Sequence, residues 1–279
     1  MSKDHPHGIL LKIAYDGQNY SGLAVQDNAH TVAGELENAI RTMDPRASRL
    51  RVCSRTDAGV HARGQYVAFD TYLNISMRGW LLGLSGVLAP DVAVISSAKI
   101  RPGFEPCKNA RWKTYRYTVL QGTIRDPFLE GRCWRIFDRL NHTRMREEAQ
   151  ALVGTHDFRA FRGQADFRTH TIRTLSSAQV TTLVDQPRVL QITIEGNAFM
   201  YHMVRIIAGT LVDIGRGKLE PGAVSRAIQS GNRLDLGMTA PAAGLCLERI
   251  ELTEQGSDEW PYHLDGAPAE FVHESSAAN

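Results

Sequence analysis

Apolar positions in the first hundred residues alternate in some stretches and recur at helical spacing in others. The run from Ile9 to Tyr15 predicts a strand, and apolar residues at helical spacing after Thr31 predict a helix. Short apolar runs on both sides of residues 53–65 predict two more strands. A second helix is expected to begin at the capping residue Ser76, and a strand at Val92. The buried face of that helix is expected to contain Trp80, Leu81, Leu84 and Val87.

The second half of the chain follows a similar order without a direct sequence repeat. Alternation over residues 113–119 predicts a strand, and Thr143 is suited to cap a helix. Two strands are expected over residues 172–184 and 189–195. In both halves the order of elements is typical of a split βαβ, or ferredoxin-like, unit.

Two helices and a last strand are expected to complete the second half. A long helix is predicted from Asn197 to Gly215, and Pro221 suits the first turn of a shorter one. Residues 245–252 indicate the final strand. Residues 257–279 are acidic and rich in small side chains, so we expect them to form a loose tail.

Charge is distributed unevenly along the chain. The net charge is +2, but seven acidic residues and no Lys or Arg follow Arg249, which leaves residues 1–249 with a net +9. Residues 101–173 contain fifteen Lys or Arg and eight Asp or Glu. Such an excess is typical of a protein with a phosphate-bearing partner, although a solvated basic surface with an acidic tail explains it equally well.

Composition excludes several other classes of protein. Hydrophobic residues make up 43% of the chain and charged residues 22%, as in ordinary globular proteins. No apolar run approaches the roughly 20 residues that span a bilayer, and residues 1–7 lack the apolar segment of a signal peptide. We therefore expect a cytoplasmic protein. The four cysteines are far apart, so neither a metal site nor a thiol redox motif is predicted.

Candidate chemistry is concentrated in the loop between the two strands that flank residues 53–65. Asp57 lies there among bases, with Arg55 before it and His61 after it, and Gly59 permits backbone conformations closed to other residues. A carboxylate held among bases is suited to act as a nucleophile. The same Asp-Ala-Gly sequence is also ordinary turn chemistry, so both interpretations stay open on the loop alone.

Two residues of the second half are candidates to complete this site. Arg205 is the only cation of the long apolar helix, and it either extends to water or pairs with a buried carboxylate such as Asp57 and keeps it charged. Tyr115 is flanked by basic residues and is suited to stack on a nucleobase. One of Tyr115 and Tyr117 is expected to belong to the core.

Several motifs together resemble one known family. The stretch from Arg55 to His61 with Gly64-Gln65, and the stretch from Phe199 to Arg205, are similar to its two most specific blocks. Shorter matches run in the same order between residues 8 and 252: Tyr15-Asp16-Gly17, Tyr20-Ser21-Gly22, Thr31-Val32, Leu36-Glu37, Ala89-Pro90-Asp91-Val92, Lys113-Thr114-Tyr115-Arg116-Tyr117 and Gly244-Leu245. On these residues the chain is identified as a member of the tRNA pseudouridine synthase A family.

The resemblance implies an enzyme that isomerises uridine to pseudouridine without a cofactor. Its substrate would be the anticodon stem-loop of tRNA, at tRNA positions 38 to 40. The implied α+β fold has two ferredoxin-like halves, residues 1–104 and 105–256, whose mainly antiparallel sheets join around a central RNA-binding cleft. A homodimer is also implied.

The resemblance also implies roles for single residues. Asp57 would attack the flipped base or assist removal of a ribose proton, and Arg205 would pair with it. Tyr115 would stack on the base and take part in proton removal at its C5. The residues expected to contact substrate are Tyr115, Arg55, His61, Gln65 and His202.

The chain departs from the family pattern at three places. Leu23 stands where the family usually has a tryptophan, Cys107 where an Ala-Arg pair is common, and Cys246 where tyrosine is frequent. We expect these changes to affect substrate range more than activity.

Two other functions fit parts of the sequence. A tRNA chaperone would bind the same RNA with weak or secondary catalysis. A nucleosidase or glycoside hydrolase would need a second carboxylate near Asp57, and the matched motifs supply none.

Overall fold

The computed structural model describes residues 5–166 and 168–253, which form a mixed α/β fold around one mostly antiparallel sheet. Its strands are β1 (His7–Tyr15), β2 (Arg51–Val52), β3 (His61–Thr71), β4 (Val92–Ile100), β5 (Ala110–Gln121), β6 (Trp134–Ile136), β7 (Gly154–Asp157), β8 (Ile172–Thr182), β9 (Val189–Gly196) and β10 (Leu245–Leu252). Its α-helices are α1 (Val32–Met43), α2 (Met77–Val87), α3 (His142–Gln150), α4 (Met203–Gly215) and α5 (Ala223–Ser230). The predicted combination of helices with a mainly antiparallel sheet is confirmed at this level.

The last strand in sequence lies in the middle of the sheet. The strand order is β4-β1-β3-β10-β5-β9-β8-β7, with β2 paired to β3 and β6 to β5. Strand β10 is parallel to β3, with Cys246 opposite His61, and antiparallel to β5, with Leu247 opposite Tyr115. Backbone hydrogen bonds of β10 therefore join the strands of residues 7–100 to those of residues 110–196.

Both helices of the first half begin at the predicted caps. The Thr31 side chain accepts a hydrogen bond from the backbone of Gly34, and that of Ser76 accepts one from Gly79. Of the predicted buried face of α2, Trp80, Leu81 and Leu84 are buried. Val87 is 46% exposed, contrary to the prediction, because the neighbouring Leu88 packs against the core instead.

Two helix starts in the second half differ from the prediction. Helix α3 is capped by Asn141, whose side-chain oxygen accepts from the backbone of Arg144 at 3.1 Å, so Thr143 lies inside the helix. Helix α5 begins after the left-handed residue Gly222, and Pro221 precedes the helix rather than occupying its first turn. Each of these two predictions misses the observed helix start by two residues.

The start of α4 is a larger correction. Asn197 was expected to cap this helix, but its side-chain oxygen accepts a hydrogen bond from the backbone of Thr174 at 3.1 Å. The helix begins six residues later at Met203, after His202 in a left-handed conformation with φ +62°. Residues 197–202 thus form a loop that brings Phe199 against the ring of Tyr115.

The remaining expectations concern the tail, membranes and cysteines. Residues 257–279, the predicted tail, lie outside the described residues. Within residues 5–166 and 168–253, no helix is long and apolar enough to cross a membrane. All four cysteines are unpaired.

Candidate active site

Asp57 lies in a loop between β2 and β3 that other parts of the chain hold in place. The Tyr15 hydroxyl lies 2.7 Å from the Thr56 hydroxyl, and the Gly59 N–H donates to the carbonyl of Tyr20 at 3.2 Å. Gly59 has φ +76°, which favours glycine over residues with a side chain. The carboxylate of Asp57 is therefore presented by a fixed backbone.

Arg205 reaches this carboxylate from helix α4. Its Nη1 donates to Asp57 Oδ2 at 3.0 Å, and its Nε donates to the carbonyl of Ala240 at 2.8 Å. The Arg205 side chain is 15% exposed and that of Asp57 23%. Of the two alternatives open for Arg205, extension to water or pairing with a carboxylate, the structure shows the pairing.

His202 approaches the same carboxylate oxygen from the loop before α4. Its Nε2 lies 3.3 Å from Asp57 Oδ2. Burial lowers the pKa of His202; the nearby carboxylate of Asp57 opposes this shift, and the charge of Arg205 adds to it. The ring is therefore neutral at neutral pH, and the contact is not an ion pair there.

Tyr115 and Tyr117 have different surroundings on β5. Tyr117 is fully buried, and its hydroxyl donates to the carbonyl of Pro241 at 2.8 Å. Tyr115 lies beside the Asp57 loop, with its hydroxyl 3.1 Å from the Ser54 hydroxyl and its ring edge-on to Phe199. Burial raises the pKa of Tyr115 to about 12, so the side chain is a neutral phenol at neutral pH.

Asp57, Tyr115, His202 and Arg205 line one cavity of about 660 Å³, and the buried Tyr117 does not. Asp57 and Arg55 come from the first half of the chain, and Tyr115, His202 and Arg205 from the second. Additional positive charge comes from Lys113 and Arg168. The lining also contains two carboxylates, Asp57 and Asp166, each paired with an arginine, so Arg55 and Lys113 give the cavity an excess of positive charge. Such a cavity is suited to a substrate that carries phosphates.

Two predicted substrate contacts lie outside this lining. His61 is buried, with Nδ1 accepting from the backbone of Gly17 at 3.1 Å and Nε2 lying 3.0 Å from the carbonyl of Gly131. Gln65 is fully buried and makes two hydrogen bonds with the backbone of Ser54, at 2.6 Å and 3.2 Å. The structure gives both side chains a role in fixing loops and places neither at the cavity.

Other residues at the cavity were not predicted from the sequence. Asp166 is buried, pairs with Arg168 and accepts a hydrogen bond from the backbone of Tyr201 at 2.9 Å. The guanidinium of Arg168 holds the pKa of Asp166 far below its usual range. Because residues 163–168 show no regular apolar spacing, nothing in the sequence pattern pointed to them.

The three departures from the family pattern occupy different places. Leu23 is fully buried, and its N–H donates to the carbonyl of Thr56 at 3.2 Å. Cys107 is exposed and lines the cavity, whereas Cys246 is half-buried on β10. Among the three side chains, that of Cys107 is the one that could contact a substrate in the cavity.

Comparisons with known proteins bear on what this cavity is for. The profile of a family described as tRNA pseudouridine synthase matches residues 149–251. A protein of Geobacter sulfurreducens named tRNA pseudouridine synthase A is 39% identical over 242 residues, which cover 87% of this chain and 98% of the relative. The chain belongs to the tRNA pseudouridine synthase A family. The resemblance stated from the motifs is thereby confirmed.

Further relatives in other bacteria carry the same name. The protein of Myxococcus xanthus is 35% identical over 261 residues, which cover 94% of each chain. That of Staphylococcus aureus is 37% identical over 246 residues, 88% of this chain and 91% of the relative. The similarity to this family therefore extends over both halves and includes the segments that carry Asp57, Tyr115 and Arg205.

Proposed function

We propose that the protein is a tRNA pseudouridine synthase, an isomerase that converts uridine to pseudouridine without a cofactor. The observation that carries the proposal is the contact of Asp57 with Arg205 at a cationic cavity, in a chain of this family. The substrate is the anticodon stem-loop of tRNA, at tRNA positions 38 to 40, as the family resemblance implies.

Asp57 is the catalytic residue in this proposal. With the target uridine flipped into the cavity, the carboxylate adds to the base or assists removal of a ribose proton, and the N1–C1′ bond breaks. Uracil turns in the site, its C5 bonds to C1′, the C5 proton passes to solvent, and N1 gains a proton. The bond between Asp57 and the base then breaks, or the ribose proton is returned, so the free carboxylate is restored. Arg205 holds Oδ2 of Asp57, and no hydrogen bond to Oδ1 is found among the described residues, so Oδ1 is the oxygen that reacts.

Arg55 and Tyr115 hold the flipped nucleotide. Arg55 is exposed at the cavity and is suited to bind a phosphate. Tyr115 contacts the base through its ring. As a phenol with a pKa of about 12, it would lose a proton at pH 7 at a cost of about 7 kcal/mol, which favours base contact over proton removal at C5.

The proposal includes the arrangement of the two halves. Residues 1–104 and 105–256 are proposed as ferredoxin-like halves that form the two walls of an RNA-binding cleft, in a cytoplasmic homodimer. The origin of Asp57 in one half and of Arg205 and Tyr115 in the other supports the cleft. Sedimentation velocity of the purified protein, with and without tRNA, tests the dimer.

The decisive experiment compares the wild-type protein with Asp57→Asn on a tRNA transcript. Wild type should form pseudouridine at tRNA positions 38 to 40, and Asp57→Asn should bind the tRNA and form none. The substitution keeps the size of the side chain, so loss of product with retained binding identifies the carboxylate. Equal rates for the two proteins would refute the assignment of Asp57.

The same reactions separate the two alternative functions. A nucleosidase would release free uracil, and it needs a carboxylic acid that can give up a proton. Asp166 is a second carboxylate at the cavity, but its pKa is held far below the usual range, so it has no proton to donate at neutral pH. A chaperone would bind tRNA without forming product. Pseudouridine mapping of tRNA from cells with and without the protein tests the function in vivo.

A further inference from the structure

Tyr201 presents an aromatic ring at the cavity that the proposed reaction does not use. The residue is 38% exposed and belongs to the lining that contains Asp57. One face of its ring stacks on the ring of His202, with centroids 3.7 Å apart and an interplanar angle of 23°. The opposite face is the one left for a ligand.

The loop before β8 holds Tyr201 in this position. The Gly163 N–H donates to the carbonyl of Tyr201 at 2.9 Å, and the Tyr201 N–H donates to Asp166 Oδ2 at 2.9 Å. Gly163 approaches so closely that a Cβ added to it would lie 2.8 Å from Tyr201 Cδ1. A ring that is already fixed loses little conformational entropy when a ligand stacks on it.

The polar surroundings of Tyr201 identify the class of ligand. Arg55 and Lys113 line the same cavity and supply positive charge. An aromatic platform next to cations is how proteins bind single-stranded nucleic acid, since bases stack on the ring while the cations contact phosphates. No hydrogen bond of the Tyr201 hydroxyl is found among the described residues, so the ring rather than the hydroxyl is the functional part.

We propose that the free face of Tyr201 stacks on a nucleobase next to the target uridine. The inference rests on the proposed function, because it assumes that the target uridine reacts at Asp57. His202 covers the inner face of Tyr201 and has its Nε2 3.3 Å from Asp57 Oδ2. A base on the outer face is separated from His202 by the whole Tyr201 ring. Reacting atoms must approach to about 3–3.5 Å, so this base is a neighbour of the target.

The protein side of the test uses two substitutions of one residue. Tyr201→Ala removes the platform and should weaken binding of the anticodon stem-loop roughly 5- to 150-fold, the range expected for one base stack. Tyr201→Phe keeps the ring and should bind within about twofold of wild type. Thermal unfolding of both variants shows whether they are folded. If Tyr201→Ala is not, Tyr201→Leu retains an apolar side chain over His202 and replaces it in the test.

The RNA side of the test identifies the base. Stem-loops with one abasic nucleotide at a time are titrated against wild type and Tyr201→Ala. If the proposal holds, the stem-loop with an abasic nucleotide beside the target uridine binds wild type and Tyr201→Ala with equal affinity, because neither complex can form the stack. Three results would overturn the proposal. In the first, the effects of Tyr201→Ala and of the abasic nucleotide on the free energy of binding add fully at every position. In the second, they fail to add at the target uridine itself, and in the third, Tyr201→Ala lowers kcat without weakening binding. Absence of pseudouridine with wild-type protein would refute the proposed function, whereas the binding titration would still report on Tyr201.

Discussion

At the scale of single residues, the site depends on how the Asp57 carboxylate is held. Arg205 makes two directed hydrogen bonds, from Nε to Ala240 and from Nη1 to Asp57 Oδ2, which only a planar guanidinium can make together. His202 contacts the same oxygen as a neutral ring. Both neighbours thus fix one carboxylate oxygen and leave the other toward the cavity.

Replacement of Arg205 should reduce catalysis more than RNA binding. Arg205→Leu removes a hydrogen bond between charged groups, worth about 1.5–3 kcal/mol, so we expect kcat to fall roughly 10- to 150-fold. Arg205→Lys keeps the charge but loses the double contact and should show an intermediate loss. Single-turnover kinetics with saturating enzyme measure the effect. A kcat for Arg205→Leu equal to that of wild type would show that the pairing has no catalytic role.

The lowered pKa of His202 predicts a pH dependence of stability. Its ordinary value is 6.5, and the folded protein binds the proton less readily than the unfolded chain does. The neutral ring of His202 therefore makes its full contribution to the free energy of unfolding above pH 6.5. This contribution falls as the pH drops below 6.5, by no more than about 1.4 kcal/mol per pH unit. His202→Gln cannot titrate, so its free energy of unfolding should fall less between pH 7 and about pH 5.5. Urea unfolding measures this free energy for both proteins at both pH values. An equal fall for wild type and His202→Gln would contradict the prediction.

The sequence pattern identified site residues whose side chains are unusual for the segment in which they lie. It did not identify the roles of residues that depend on contacts with distant parts of the chain. Asp57 in a glycine-containing loop and Arg205 in an apolar segment both stood out, and the structure brings them together. His61 and Gln65 belong to the same motif, but their side chains bond backbone atoms that no sequence pattern reveals. Tyr201 lies beside the predicted His202, yet its exposure depends on a loop distant in sequence.

At the scale of elements, strand β10 determines whether the site is complete. It lies between β3, which follows the Asp57 loop, and β5, which carries Tyr115. The alternating pattern predicted this strand with the observed bounds, Leu245–Leu252. Its position could not be predicted, because apolar alternation identifies a strand and not its neighbours. The start of α4 was wrong for a similar reason, since Asn197 bonds to the backbone of Thr174 on β8.

A methyl group between β3 and β10 should disturb both stability and catalysis. A Cβ at Gly64 would lie 2.5 Å from the carbonyl oxygen of Glu248, so Gly64→Ala should destabilise the protein by roughly 1–3 kcal/mol and lower kcat. Gly86→Ala is the matched control, because a Cβ at this position of α2 meets nothing within 4 Å. In a helix the change should stabilise by about 0.5–1 kcal/mol. Chemical unfolding gives the stability of both variants, and turnover assays give their kcat. If Gly64→Ala matched Gly86→Ala in both stability and kcat, the close contact of Gly64 with the Glu248 carbonyl would have no such role.

At the scale of the whole molecule, the excess positive charge of residues 1–249 is the feature that a tRNA substrate explains. Part of this charge is neutralised within the protein, as in the pair of Arg116 with Glu248. Arg55 differs, because no hydrogen bond or ion pair of its guanidinium is found within residues 5–166 and 168–253, and it is exposed at the cavity. Its charge is therefore available for a phosphate.

Salt dependence of tRNA binding measures how many such contacts form. The logarithm of the affinity should fall linearly with the logarithm of salt concentration, and Arg55→Gln should reduce this slope by about 0.7–0.9, the value for one phosphate. Arg78→Gln removes the same charge from an exposed position on α2 outside the cavity lining, so its slope should equal that of wild type. Net charge changes equally in the two variants, and only a local phosphate contact makes them differ. Equal slopes for both would show that the RNA responds to the overall charge of the protein rather than to Arg55.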